Sequence, residues 1–227
     1  MKKEERLDTY IHYCMCAMGG FFGGYAILNR CEVFGSSQTA NLINLMLDLL
    51  GRNLPEFLVH LGAAVLYMAA LALAVVLVKR TKIHMRYFSI VIDFLAIGIL
   101  CCLPEEMDPI LALYPIFFAT AMQWSVFGGA QGFASSSIFS TNNVKQTVTA
   151  ATAYAIDKKK EDLVKAKFFG GVLVAYHLGV VLAYLGFRYL GILGATFGIL
   201  PLLFATGLVF YAEQGLSEQD GTLACRS

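Results

Sequence analysis

Charged side chains are scarce in this sequence. They make up 15% of its 227 residues, whereas hydrophobic residues make up 58%, and an ordinary globular protein carries roughly 25% charged residues. A water-soluble fold of this size has too little interior to bury so much apolar surface. The net charge of +1 supplies no basic face and argues against a nucleic-acid partner.

Several chemical motifs are also missing. The sequence contains no CxxC pair or zinc-type cysteine spacing, no HExxH or GxSxG motif and no GxxxxGK[ST] nucleotide-binding loop. We therefore expect no metal and no cofactor, and we interpret the cysteines as packing residues. The apolar stretch after Lys3 lacks a small-residue cleavage site, so it is expected to be a first membrane span rather than a secretory signal.

Stretches without any Asp, Glu, Lys or Arg are as long as a membrane is thick. At about 1.5 Å per helical residue, the 22 residues of 57–78 reach roughly 33 Å, enough to cross a hydrocarbon core of about 30 Å. The charge-free stretches are 9–29, 33–47, 57–78, 109–144, 168–187 and 189–212. They predict an all-α, polytopic membrane protein whose helices form a bundle in the lipid bilayer.

Six stretches are predicted to be complete membrane spans, and two shorter polar stretches are not. The predicted spans are about 9–29, 56–78, 88–103, 109–130, 166–187 and 190–212. The fragment 88–103 reaches only roughly 24 Å, which local thinning of the bilayer accommodates. The segments 38–50 and 142–156 are shorter and carry polar residues along their length, so length alone leaves open whether they cross.

The positive-inside rule separates the possible threadings, because Lys and Arg concentrate in cytoplasmic loops. If both short segments enter and return on the same side, six spans place twelve basic residues in the cytoplasm and three outside. If both cross, the count falls to nine against six, and a crossing by only one gives ten to five or eight to seven. We therefore expect six full spans plus two short re-entrant helices, with cytoplasmic tails at 1–8 and 213–227.

The chain also contains an internal repeat. Thr39-Ala40-Asn41-Leu42 and Thr141-Asn142-Asn143-Val144 stand 102 residues apart, each before a short helix, a charged turn and a long span. Repeat one covers about 9–103 and repeat two about 109–212 of a single integral membrane domain, 1–227. With six spans the repeats are inverted, as in many secondary transporters, whose sites lie at the midplane where discontinuous helices meet.

The repeated segments carry a family resemblance. They are Val33-Phe34-Gly35-Ser36-Ser37-Gln38-Thr39-Ala40-Asn41, and Ala121-Met122-Gln123-Trp124 followed by Ser140-Thr141-Asn142-Asn143. Together they resemble the paired threonine-glycine-asparagine motifs of the YoaK-like family of bacterial inner-membrane proteins, with Ala40 and Asn142 at the glycine positions. The resemblance covers about residues 10–212 and implies a bacterial plasma-membrane protein with two related halves and a role in transport.

The polar segments are expected to place two helix starts inside the membrane. Residues 31–37 would descend from one face before the helix at Gln38, and residues 131–140 would mirror them from the cytoplasmic face before the helix at Asn142. Non-helical backbone at this depth must be buried in protein or line a wet cavity. Two helix N-termini would then point into one cavity, each with about half a positive charge, and favour an anionic solute.

The expected solute-binding residues are amides, hydroxyls and one lysine near these helix starts. An amide donates and accepts hydrogen bonds at once, which suits a polar solute, although amides also join helices to one another. A simpler alternative is that Ser37, Thr39, Thr141 and Asn142 only cap the two helices. The predicted binding residues are Gln38, Thr39, Asn41, Asn44, Gln123, Thr141, Asn142, Asn143, Lys145 and Gln146.

Two ionisable groups are candidates to carry a coupling proton. Asp93 is expected about 7 Å inside the cytoplasmic edge of its span, and His177 is expected near the centre of its own. Ionisable groups inside a membrane are functional candidates by default. The alternative for His177 is a neutral imidazole bonded to a neighbouring helix.

These features favour a secondary transporter of a small polar or anionic solute, with its site at the midplane between the repeats. The expected partners are the lipid bilayer and that solute. Two other classes stay open. An intramembrane enzyme would need Asp93 and His177 to converge in one pocket, and a structural or sensory membrane subunit would present a lipid-facing groove.

Overall fold

The chain is helical over nearly all the residues that the computed structural model describes, which are 3–30 and 38–224, with side chains up to residue 214. The expected descending segment 31–37 lies outside the described residues. The elements are α1 (Lys3–Asn29), α2 (Gln38–Leu50), α3 (Leu54–Arg80), α4 (Met85–Cys102), α5 (Pro109–Ala112), α6 (Tyr114–Val126), β1 (Gly129–Ala130), β2 (Phe133–Ala134), α7 (Thr141–Asp157), α8 (Lys160–Leu190), a 3-10 segment (Gly191–Gly198) and α9 (Ile199–Ala224).

Four helical stretches are long and apolar enough to cross a membrane. They are Lys3–Asn29, Leu54–Arg80, Met85–Cys102 and the run Lys160–Gln214. Large apolar side chains are exposed on their outer faces, for example Val75 on α3, Val91 on α4 and Val174 on α8. Exposed apolar faces of this extent suit lipid rather than water, and the all-helical expectation is confirmed.

The last of these stretches consists of two antiparallel arms. Gly191 has a φ of 56°, a left-handed conformation that favours glycine, and the chain reverses there. The returning arm, α9, runs back along α1. Lys3 lies over the Tyr211 ring near one end of α1, and the Tyr25 hydroxyl donates a hydrogen bond to the Ile192 carbonyl at 3.2 Å near the other.

Helices α1 and α8 run parallel in close contact. Tyr13 packs against Phe168 near the start of the contact, and Gly24 packs against Ala183 farther along both helices. A Cβ atom on Gly179 would collide with the backbone of α1. The two helices approach so closely because glycine removes the side chains that would separate them.

Helices α6 and α3 form a second parallel pair that matches the first. The Tyr114 hydroxyl donates to the Val59 carbonyl at 2.7 Å, as the Tyr13 hydroxyl donates to the Phe168 carbonyl at 3.2 Å. Each accepting residue is followed three residues later by a glycine against which the tyrosine hydroxyl packs. These glycines are Gly62 and Gly171. Helix α1 of the first half therefore packs against α8 of the second half, and α6 of the second half packs against α3 of the first.

Each half also contains a hairpin made of a short helix and a long one. The short helix α2 packs mainly on α3, and α7 packs mainly on α8. The short helices have 13 and 17 residues, whereas their long partners have 27 and 31. Because the hairpin turns join the end of each short helix to the start of its partner, both α2 and α7 begin part-way along the bundle.

The prediction of one continuous helix over 109–130 is wrong. The chain breaks between α5 and α6 because Pro115 lacks the N–H group that a continuing helix would donate. Helix α6 ends at Val126, and residues 129–134 form a small antiparallel hairpin. Gly132 has a φ of 75°, which allows the tight turn of that hairpin.

One end of the bundle holds a cleft of about 890 Å³, and we call this end the cleft end. The cleft lies where α1 and α4 begin and where α3, α6 and the described side chains of α9 end. Arg86 and Asp8 form an ion pair of 2.9 Å at this end, and His84 Nδ1 lies 3.3 Å from the Glu213 carboxylate. These contacts join the start of α4 to α1 and α9.

Candidate functional site at the start of helix α7

The loop that precedes α7 descends along α1 from the cleft end. Gln131 of the β-hairpin donates a hydrogen bond to Thr9 Oγ1 at 3.0 Å, close to the start of α1. Farther along, Ser135 contacts His12, and Gly19 leaves room for the loop backbone against α1. The loop therefore delivers the chain to the middle of α1, and α7 begins there.

Asn143 holds the first turn of α7 to this loop. Its Nδ2 atom donates to the carbonyl oxygens of Ser136 and Phe139 at 2.9 and 2.8 Å. Its Oδ1 atom accepts from the Ser135 hydroxyl at 3.2 Å, and that hydroxyl lies 3.1 Å from His12 Nε2. The Ser135 hydroxyl therefore links the Asn143 amide to the His12 imidazole.

Gln123 joins the same loop from α6. Its Nε2 atom donates to the Met15 carbonyl at 2.8 Å and to Ser137 Oγ at 2.9 Å. The side chain is completely buried, and its Oε1 atom has no hydrogen-bond partner within the described part of the chain. A buried acceptor without a donor costs about 1–3 kcal/mol, so this is an energetically expensive position in the fold.

The corresponding asparagine of the first half is also buried. Asn41 lies 102 residues before Asn143 and is only 4% exposed, on a helix whose other described side chains are all more exposed. Its Nδ2 atom donates to the His60 carbonyl at 3.1 Å, and its Oδ1 atom accepts from His60 Nδ1 at 2.8 Å. His60 Nε2 lies 3.6 Å from Asp48. In both halves, therefore, a histidine is linked to the asparagine at the start of the short helix.

The other predicted binding residues lie mostly on the outer faces of α2 and α7. Gln38 is half-buried and accepts a hydrogen bond from Asn41 at 3.3 Å. Gln146 is also half-buried. The exposed residues of the set are Thr39, Asn44, Thr141, Asn142 and Lys145. The structure thus brings Gln123 and Asn143 to one loop and leaves Lys145 on the uncovered face of α7.

The first turn of α7 has no side-chain cap at its N-cap residue. Ser140 occupies the N-cap position and makes no side-chain hydrogen bond to the first turn. Thr141 and Asn142 are exposed. Ser37, the corresponding capping candidate of the first half, lies outside the described residues.

The two candidates for a coupling proton lie in different surroundings. Helix α4 begins at Met85, so Asp93 is its ninth residue of 18 and lies about 12 Å along the helix, deeper than the sequence alone predicts. Asp93 is completely buried. His177 is exposed, and its Nδ1 atom contacts the Leu173 carbonyl of its own helix at 2.7 Å. The two side chains share no hydrogen bond.

Sequence reasoning does not select His12 and His60, which the structure places in the two networks. Each is a lone imidazole in an otherwise apolar helix, and the same is true of His177, which is exposed. A lone histidine therefore carries no local signal of burial. Among the described residues, no group of three or more His, Cys, Asp or Glu side chains is arranged to hold a metal ion.

The fold and this site define a helical protein with the features of a membrane protein and with polar networks in its interior. The chain belongs to the family described as "Protein of unknown function (DUF1275)", whose model matches residues 11–210. No curated protein matches the chain. No solved structure matches it either. The narrower YoaK-like resemblance stays an expectation.

Proposed function

We propose that the chain is a secondary transporter with six membrane passes and two inverted repeats. Helix α1 runs away from the cleft end, whereas α6, which makes the matching tyrosine contact in the second half, runs toward it. Opposite directions of corresponding helices support an inverted repeat. In this arrangement α2 and α7 are half-length helices that enter from opposite faces.

The distribution of basic residues supports a cytoplasmic cleft end and cytoplasmic termini. The parallel and antiparallel contacts group the starts of α1, α4 and α8 with the ends of α3, α6 and α9. The basic residues near these ends are Lys3, Arg6, Lys79, Arg80, Lys82, Arg86, Lys158, Lys159, Lys160, Lys165 and Lys167. Among the basic residues that the structure describes, only Arg30, Arg52 and Arg188 belong to the opposite ends, as the positive-inside rule requires. The YoaK-like resemblance supports a bacterial inner membrane.

The observation that carries the transport proposal is the buried polar network at the start of α7. Buried polar groups at membrane depth are costly, and Gln123 keeps an acceptor without a partner among the described residues. Next to the network, α7 leaves Thr141, Asn142 and Lys145 uncovered. A polar helix face at this depth suits a water-filled cavity, so we infer that the solute binds along this face.

The same face favours an anionic solute. Lys145 lies one turn into α7, and the first turn of the helix lacks a side-chain cap. Both the ammonium group and the N–H groups of the first turn attract negative charge. We therefore infer a small organic acid as the solute class.

Uptake of small organic acids by proteoliposomes tests this proposal. Lys145→Ala removes an exposed side chain, so folding should survive, and uptake should fall by about tenfold or more because a charge-assisted hydrogen bond contributes roughly 1.5–3 kcal/mol. Asn143→Ala should also reduce uptake. Thr152→Ala, an exposed change farther along α7, serves as the matched control. Unchanged uptake in both Lys145→Ala and Asn143→Ala would reject the site.

No observation favours the other two classes. An intramembrane enzyme needs an acid and a base that meet in one pocket, whereas Asp93 is buried and His177 lies on an outer face. A structural or sensory subunit does not require a buried polar network that contains a hydrogen-bond acceptor without a donor. A stoichiometric protein partner in a pull-down, without solute uptake, would favour that class instead.

A further inference from the structure

Asp93 is a buried carboxyl group in the centre of α4. Its side chain is 0% exposed, and neither carboxyl oxygen has a hydrogen-bond partner within residues 3–30 and 38–214. Ser89, one turn earlier, is also 0% exposed, and its hydroxyl oxygen has no partner there either. Two unpartnered polar side chains at adjacent turns of one helix are costly, which points to a function.

The helices packed against α4 supply no charge at this depth. They are α6, the 3-10 segment, α9 and, less extensively, α3, and α1 reaches α4 at the cleft end through the ion pair of Asp8 with Arg86. The titratable residue of α6 is Tyr114, at the far end from the cleft, and the 3-10 segment has none. The described titratable side chains of α9 are Tyr211 and Glu213 at the cleft end, and those of α3 are Glu56, His60, Tyr67, Lys79 and Arg80.

Polar residues on the buried side of α4 lie between the cleft and Asp93. Arg86 lines the cleft, and Ser89 and Asp93 follow at spacings of three and four residues, so the three share one face of the helix. Beyond Asp93 the same face continues with Ile97 and Leu100, which belong to the hydrophobic core. The polar part of this face is therefore the part that leads to the cleft.

We propose that Asp93 binds and releases a proton through the cleft, with the Ser89 hydroxyl as the relay. In this step the two side chains rotate toward each other, a proton from water in the cleft passes to the Ser89 hydroxyl, the hydroxyl gives its own hydrogen to the Asp93 carboxylate, and the neutral carboxylic acid results. A metal cation would need several oxygen ligands, whereas no described polar group lies within hydrogen-bond distance of either Asp93 oxygen, so the bound species is a proton. The role of Asp93 as the coupling site of a transporter rests on the proposed function.

Infrared spectroscopy of the purified protein in lipid tests proton binding without a solute. The wild type should show the C=O stretch of a neutral carboxyl group that disappears as the pH is raised. Asp93→Asn, which is nearly isosteric, should lose this pH-dependent band. Glu106→Gln, which changes an exposed carboxyl group, should keep it. The same band in Asp93→Asn, or its absence in the wild type throughout the titration, overturns the proposal.

The route is tested by the rate at which the band shifts after transfer to D2O. In a background without other cysteines, Ser125→Cys carries a bulky thiol label in the cleft, which Ser125 lines. This label and the substitution Ser89→Ala should each slow the exchange, whereas a label on Glu106→Cys should not. An unchanged exchange rate with the cleft blocked contradicts the route.

The two proposals fail separately. If no solute is transported, the infrared band of Asp93 still reports proton binding. If Asp93→Asn keeps the band while organic-acid uptake is intact, proton binding at Asp93 is rejected and transport stands.

Discussion

Single glycine residues set the distance between α1 and α8. A Cβ atom on Gly179 would collide with the Ala17 carbonyl oxygen, and one on Gly20 would collide with the Tyr176 carbonyl oxygen. Both obstacles are backbone atoms, which move only if a whole helix moves. The contact between these helices therefore depends on residues that contribute no side chain at all.

Gly179→Ala is expected to lower the free energy of unfolding by about 1–3 kcal/mol or more, because the added methyl group overpacks a backbone contact. Gly98→Ala is the matched control, since nothing lies within 4 Å of a Cβ atom built there. It should be neutral or stabilising by up to about 1 kcal/mol, as alanine favours a helix over glycine. Thermal unfolding in detergent measures both changes, and equal effects would contradict the close approach of α1 and α8.

The two buried histidines of the polar networks could not be predicted from the sequence. Asn41 and Asn143 were predictable because they recur at equivalent places in two similar segments. His12 and His60 have no such repeat, and their partners lie 123 and 19 residues away in the sequence. Only the folded chain brings these groups together, so no local pattern could select them.

Two pairs of parallel helices connect the halves at the scale of elements. In each pair a tyrosine of one helix donates to a backbone carbonyl of a long helix in the other half. The acceptors, Val59 and Phe168, lie 109 residues apart. The matching bonds make the two tyrosine contacts directly comparable, although the α1–α8 interface is the more extensive of the two.

Tyr13→Phe and Tyr114→Phe are expected to destabilise the protein by similar amounts, about 0.5–1.5 kcal/mol each, because each removes one hydrogen bond and little packing. The double variant should lose the sum, since the two sites are separate. Tyr10→Phe, which changes an exposed tyrosine, is the control. A large loss for one variant and none for the other would show that the interfaces are not equivalent.

Element boundaries follow from the sequence where charged residues fix them, and their prediction fails inside charge-free stretches. The charge-free stretches predicted most of the long apolar helices, because lipid requires apolar side chains over a known length. The stretch 109–130 is equally apolar, yet Pro115 and the glycines after Val126 interrupt it. The apolar character of a segment indicates that it lies in lipid or in the protein interior, but it does not show whether one continuous helix runs through the segment.

The whole molecule combines exposed apolar faces with polar groups in its interior. Most exposed side chains of α3, α4 and α8 are suited to lipid, whereas the outer face of α7 near its start combines the polar groups of Thr141, Asn142 and Lys145 with the exposed Val144 and Val148. These two kinds of surface occur at the same depth, since the start of α7 lies beside the middle of α8. In the proposed transporter, the polar face must border water and the apolar faces must border lipid.

The most direct test of this claim is the water accessibility of a cysteine at the start of α7. Thr141→Cys and Val174→Cys, each in a background without other cysteines, place thiols on the exposed faces of α7 and α8 at similar depth. In proteoliposomes, a small water-soluble thiol reagent should modify Thr141→Cys and should leave Val174→Cys unmodified. Equal protection of both cysteines would contradict a water-filled cavity at the start of α7, and with it the proposed solute site.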